Sequence, residues 1–449
     1  MKNFKKFAML LVAVMAVGVT MTSCSNEDET IPVVNNVRAT ETLSSIISAD
    51  KTLYSNVTYQ LSGKTYVTNG ATLTIQPGTR IEGLYSSDNT KASALIITRG
   101  CKIMAQGTAD QPIVFTAQNG QKGGWGGLVI LGKAVVNQGT ECAIEGIDAS
   151  TAPEGVDIHF GGTNDNDNSG VLSYVRVEYA GASIAADNEL NAFTFGGVGR
   201  GTRLDHCQAF HGADDAFEFF GGCVNGKYLV STATDDDGLD FDWGYTGTIQ
   251  YGLITIEPTM TYSKDPNGVE CDNDVNSSSL TPFTHPVLSN LTIVGTKNGQ
   301  VKEVGKFKPV RTALKSCTDF RRNCEFTLVN SIVYGFPRGI LRETKNSNYV
   351  LEDNVICAAS NGQVAGINFS ADKATNDTFT PSASNVGLTN YNAIVLKNPW
   401  GNYNTNDLKP RAGSAYSGAY SLSGIEAVNY KGAFNPRSTT VWTAQAWVR

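Results

Sequence analysis

Short runs of apolar residues spaced two apart recur along this chain, and several realign at a fixed step. Leu73-Thr74-Ile75-Gln76-Pro77-Gly78-Thr79-Arg80-Ile81 falls after 22 residues on Leu95-Ile96-Ile97-Thr98-Arg99-Gly100-Cys101-Lys102-Ile103, so Leu73, Ile75 and Ile81 meet Leu95, Ile97 and Ile103, and Gly78 meets Gly100. Alternation of this kind predicts strands with one buried face, and the paired glycines predict a recurring bend. Pro112-Ile113-Val114-Phe115-Thr116, Gly127-Leu128-Val129-Ile130-Leu131, Val171-Leu172-Ser173-Tyr174-Val175-Arg176-Val177 and Leu291-Thr292-Ile293-Val294 read the same way. Asn290, Asn330 and Asn354 each precede an apolar strand segment, as asparagine does where successive turns stack a polar ladder. No amphipathic helix of ordinary length is legible after residue 30.

The 22-residue step returns in an acidic block. Asp214-Asp215-Ala216-Phe217-Glu218-Phe219 aligns with Asp236-Asp237-Gly238-Leu239-Asp240-Phe241. Repetition at roughly 20 to 30 residues marks a solenoid in which equivalent residues stack. Together these signals predict an all-β chain folded as a right-handed parallel β-helix with loop insertions and a C-terminal cap. A sandwich or propeller would show regular hairpin signals or blades of about 40 residues. Ala152 to Ser169, Tyr262 to Pro286 and Lys297 to Arg322 break the period and read as insertions, which cluster on binding faces. The tail after Asn404, with Tyr430-Lys431-Gly432-Ala433-Phe434, Trp442 and Trp447, reads as the cap.

Strand parity places the acids. With Phe217, Phe219, Leu239 and Phe241 turned inward, Glu218, Asp240 and Asp242 project outward, while Asp214, Asp215, Asp235, Asp236 and Asp237 lie at the preceding bend. Eight carboxylates thus gather on two turns with no lysine among them. Crowded hard oxygens suit calcium, which takes roughly six to eight such ligands, and these eight are the expected metal ligands. A solvated bend held by structural aspartates is the alternative.

Lys227, His211 and Arg203 are the candidate bases should the site be catalytic, since β-helix polysaccharide lyases pair a calcium ion with a basic residue. Trp243 and Tyr245 are the candidate sugar-stacking rings. Four histidines without an HExxH pair, and the lack of GxSxG and GxxxxGK[ST] motifs, argue against a zinc protease, a serine hydrolase and a nucleotide-binding enzyme.

The ends and the composition set the context. Met1 to Lys6 carries three lysines and precedes an apolar run from Phe7 to Met21, the layout of an export signal and too short for a comfortable membrane span. Thr22-Ser23-Cys24 resembles a bacterial lipoprotein processing site, which implies a lipid on Cys24 and an anchor in the outer membrane. Ser25-Asn26-Glu27-Asp28-Glu29 resembles the acidic tract that sends such proteins to the cell surface. The expected organisation is therefore a signal over 1–23, a polar tether over 24–50 and one β-helix over 51–449. A net charge of −7 with no basic cluster argues against a nucleic-acid partner. Eight further cysteines lack a CxxC pair, leaving disulfides open, Cys317 with Cys324 being the local option.

Gly123-Gly124-Trp125-Gly126-Gly127-Leu128-Val129-Ile130-Leu131-Gly132-Lys133-Ala134, the acidic repeats followed by Phe219-Phe220-Gly221-Gly222-Cys223-Val224-Asn225, and the closing Tyr430-Lys431-Gly432-Ala433-Phe434 together resemble a family of exported parallel β-helix lipoproteins of Bacteroidetes-type bacteria. The resemblance covers most of residues 50 to 449 and implies the fold without fixing an activity. Fold and patch together point to a surface lipoprotein that binds a glycan or surface polymer with calcium at the acidic bend. A calcium-dependent polysaccharide lyase or hydrolase, and a structural or adhesive protein, are the other two expectations.

Overall fold

The computed structural model describes residues 38–147, 152–185, 188–305, 310–360, 363–365, 369–370, 382–388, 396–411 and 420–449. Cys24, the segment expected to be a signal and the acidic tract after it lie outside them.

Parallel strands stack into three faces, giving the right-handed parallel β-helix that the alternation predicts. The first face is an 11-stranded sheet running from Ile46–Ile47 to Phe369–Ser370. The second and third faces merge into one 20-stranded sheet, because Gly170–Glu178, Arg203–Phe210 and Asn225–Thr232 run through the corner between them. One residue per turn takes that corner with positive φ: Tyr174 (54°), His206 (50°), Tyr228 (56°), Tyr251 (64°), Asn290 (55°) and Asn330 (53°). The four rings stack along the axis, with centroids 4.4 Å apart for Tyr174–His206, 4.5 Å for His206–Tyr228 and 5.0 Å for Tyr228–Tyr251. Stacking contacts at every step offset the cost of left-handed backbone at non-glycine residues.

The strand Ala39–Thr42 already pairs in parallel with Val57–Leu61, so the solenoid takes in part of the segment read as tether. That edge strand is exposed along its whole length, so it carries no apolar alternation to reveal it. Two segments read as insertions each contain a short strand of the first face, Val269–Cys271 and Ser316–Phe320.

Inside the coil, Phe193 stacks on Phe217 (4.8 Å), and Phe195, Phe219 and Phe241 stack in turn at 4.9 and 5.2 Å. The C-terminal cap is a strap. Leu396, Leu408, Phe434, Val441, Trp447 and Val448 bury the outward apolar side chains of the third face, among them Val230, Leu253, Val294, Ile332 and Val355. Asn290 Nδ2 donates to Tyr430 O (2.8 Å) and Asn330 Nδ2 to Tyr420 O (2.9 Å), so these two corner asparagines hold the strap rather than each other. Asn354 does form a ladder rung, donating to Asn385 Oδ1 at 3.0 Å. The eight described cysteines are buried and free, Cys317 and Cys324 included.

Candidate functional site

The outward positions of the first face form one column in strict register: Tyr66, Ile96, Val129, Thr194, Glu218, Asp240, Glu270 and Asp319. Glu218 and Asp240 are therefore cross-strand neighbours. Phe217, Phe219, Leu239 and Phe241 are buried in the core beneath them, as parity requires.

At the bend before these strands, side-chain oxygens accept backbone N–H groups from one turn to the next. Asp215 N–H donates to Asn191 Oδ1 (3.1 Å), Asp237 N–H to Asp215 Oδ1 (2.8 Å) and Asn267 N–H to Asp237 Oδ1 (2.8 Å). Asp215 and Asp237 thus have a structural task that any short acceptor side chain at that bend performs. Asp242 Oδ1 accepts the Trp243 N–H at 2.7 Å and closes the turn after the strand.

Cations reach the acids from loops, contrary to a patch free of lysine. Lys264 Nζ lies 3.3 Å from Glu189, 3.6 Å from Asp214 and 3.9 Å from Asp236. Burial pulls its pKa down, and the charges of Asp214, Asp236 and Glu189 outweigh this and hold the ammonium above its ordinary value. Lys122 pairs with Asp235, which also accepts from Ser263 Oγ at 2.8 Å. Arg321 pairs with Glu270 and, at 2.9 Å, with Asp272; Arg322 meets Asp272 at 2.7 Å. These partners sit 28 to 113 residues from the acids they meet, a separation that only the fold closes.

Two oxygen triads remain, sharing Asp215. Ligand atoms of Asp214, Asp215 and Asp236 lie within 4.8 Å of one another, as do those of Asp215, Glu218 and Asp240. Lys264 already offsets the first triad. In the second, Glu218 accepts from Asn191 Nδ2, and Asp240 Oδ1 is buried with no hydrogen-bond partner among the described residues. Burial, then the charge of Asp272, pushes Asp240 up to about 7; burial pushes Asp236 to about 7 against the pull of Lys264. Burial first and the neighbouring carboxylates second hold Asp214, Asp215, Glu218, Asp237 and Asp242 well above the ordinary carboxylate range. A buried carboxylate oxygen without a donor is costly unless a proton or a cation meets it. Hard, anionic, converging oxygens on the second triad fit a calcium-like ion.

The other candidate residues stand elsewhere. Arg203 and Lys227 lie on the second face, with Arg203 Nε 2.6 Å from Asp205 and Lys227 Nζ 3.4 Å from Glu426. His211 stays at the bend before the first acidic block, where Nε2 is 3.4 Å from Glu257 and the ring stacks on Phe210 at 3.9 Å. Tyr245 is fully buried, packed on Phe219 and Phe241 and donating its hydroxyl to Val224 O at 2.7 Å, so it offers no face to a sugar. Its ring turns inward because the chain bends at Trp243 (φ 51°) and Gly244 (φ 85°), which ends the strand's alternation. Trp243 is half-buried and stacked 5.9 Å from Phe160 of an insertion.

Sequence reasoning missed a further turn of the motif. Gly268-Val269-Glu270-Cys271-Asp272 repeats Gly238-Leu239-Asp240-Phe241-Asp242, and its acids continue the column. An insertion lengthened the step from 22 to 30 residues and hid it.

The stacked parallel strands and the inward phenylalanine stack define a parallel β-helix. Residues 45–406 match the model of the pectate-lyase-like β-helix domain, and the chain belongs to that family. Comparisons with curated proteins and with solved structures gave no match.

Proposed function

We propose that this chain is a surface lipoprotein, anchored through Cys24 in the outer membrane, whose β-helix binds a glycan and whose acidic column is stiffened by calcium. The observation that carries the cation is the Asp215–Glu218–Asp240 triad with its unpartnered Asp240 oxygen. Asp215 and Glu218 are each under 10 % exposed, so the ion's role is to hold two successive turns together rather than to meet a substrate. Membership in a pectate-lyase-like family supports a polysaccharide partner. Binding is favoured over cleavage because the basic side chains beside the column, Lys264, Lys122, Arg321 and Arg322, are each engaged by carboxylates. A desolvated base of lowered pKa would be needed for proton abstraction.

The test takes the soluble chain from Ser25 onward through thermal melts with calcium and with chelator, and over a glycan array. A Tm raised by calcium, lost in Asp240→Asn and kept in Asp235→Asn, is the expected result, since an ion that binds only the folded state stabilises it. An unchanged Tm overturns the cation, and an empty array overturns the glycan. Unsaturated products absorbing in the ultraviolet from pectic, alginate or glycosaminoglycan polymers would replace binding by lysis.

A further inference from the structure

A second concave site lies away from the acidic column. Between the third face and the C-terminal strap runs a cleft of about 440 Å³, walled by Ile256, Glu257, Val294, Trp400, Tyr403 and Arg449, among others. The volume falls within the ordinary range for a small-molecule site. Its two rings are positioned by the strap. Trp400 stands edge-on to Tyr334 at 5.2 Å, and the Tyr334 hydroxyl donates to Pro399 O at 2.7 Å beside it. The Tyr403 hydroxyl donates to Arg449 O at 2.6 Å.

Polar groups converge on the same space. The Glu257 backbone N–H donates to the Tyr262 hydroxyl at 2.8 Å, and its carboxylate meets His211 Nε2 at 3.4 Å while staying 38 % exposed. The His211 hydrogen bond holds that carboxyl below its ordinary pKa, so it is an acceptor at neutral pH. Asn402 and Asn404 line the wall, and Asn404 Oδ1 has no hydrogen-bond partner among the described residues. Arg449 is committed to Glu178 at 2.9 Å and lies over the Phe210 ring at 4.8 Å. Arg449 shares Glu178 with Arg176 (2.7 Å), and the Lys297 ammonium in the lining is matched in charge by the Glu257 carboxylate, so the cations here stand beside acids rather than gathering as an open anion site.

Aromatic rings beside amide and carboxylate acceptors suit a ligand with an apolar C–H face and a rim of hydroxyl donors. We infer that this cleft is a cation-independent subsite for a neutral sugar ring, its C–H face on Trp400 or Tyr403 and its hydroxyls on Glu257 and Asn402. The inference rests on the glycan-binding reading and names where and what kind of sugar that reading takes.

Titration calorimetry and saturation-transfer NMR with neutral tetrasaccharides of glucose, xylose, mannose and galactose, and with tetragalacturonate as the acidic comparison, test it in calcium and in chelator. At least one neutral tetrasaccharide binds, equally in both buffers, and Trp400→Ala and Glu257→Gln each weaken it about tenfold or more, roughly 1.4 kcal/mol. Asn402→Ala, at an exposed position, weakens binding too and serves if Trp400→Ala disturbs the strap. The subsite is overturned if no neutral sugar binds, if tetragalacturonate binds in preference, if chelator abolishes binding, or if the folded variants bind as the parent does. Binding that survives all these variants leaves the glycan reading standing and removes only this cleft.

Discussion

The outward column of the first face is apolar at one end and acidic at the other, and the two ends are covered in opposite ways. Tyr66, Ile96 and Val129 are sealed by Val136, Ile144, Ile147, Ile158 and Phe160 of the insertion that follows Leu131, a second apolar core outside the coil. The acidic end meets charged loops instead, Lys264 reaching Asp214 and Asp236, Arg321 reaching Glu270 and Arg322 reaching Asp272. The backbone register is the same along both halves, so the difference is one of solvation. Apolar cover gains from excluding water, whereas acids under cover lose hydration that only cations or protons replace.

The largest effect should come from the apolar half. Phe160→Ala removes a fully buried ring in contact with Phe220 and Trp243, and should cost about 3–5 kcal/mol in denaturant melts. The same variant should keep its calcium response; a lost response would mean that the two halves are not separate.

Next comes the acidic half, with the opposite sign. In chelator at pH 8, Asp240→Asn should raise stability by on the order of 1–3 kcal/mol, since each unit of relieved pKa shift is worth about 1.36 kcal/mol. Destabilisation in chelator would show that the carboxylate is already satisfied. Calcium should reverse the ranking of parent and variant.

The pH dependence follows from the same groups. Asp236 and Asp240 titrate near 7 in the folded chain and at the ordinary 3.8 when unfolded. Between about pH 4 and 7 the folded state holds protons that the unfolded state has released, so the stability of calcium-free protein should fall as pH rises through that window. Added calcium should flatten the fall, and Tm against pH in the two buffers checks it. A calcium-free Tm that rises over the window would contradict the raised values.

The smallest effect is expected at Lys264, whose side chain is 34 % exposed. Lys264→Ala should cost about 1 kcal/mol in chelator. It should also increase the calcium-induced rise in Tm, because Asp214, Asp215 and Asp236 then need a cation of their own. An unchanged rise would confine calcium to the Asp215–Glu218–Asp240 triad.

Strand alternation and the 22-residue step carried the coil, its inward phenylalanines and the Glu218–Asp240 pairing, because in a solenoid the neighbour across the sheet is the residue one period away. Where an insertion changes the step, the period is no longer legible: Glu270 and Asp272, and the strands Val269–Cys271 and Ser316–Phe320, fall within stretches whose sequence looks like loop. Tyr245, expected to offer its ring to a sugar, turns inward because strand parity does not extend past a turn taken at positive φ. Arg203 and Lys227 are near the acids in sequence and belong to another face, since one turn visits three faces within a period.

Sequence alone determined what is local or periodic: strands, bends, inward rings and acids pointing away from them. Tertiary structure decided what covers those acids. A lysine and two arginines from irregular loops, and a strap that returns along the third face, obey no period, and it is their arrival that converts an outward carboxylate into a buried one short of a partner.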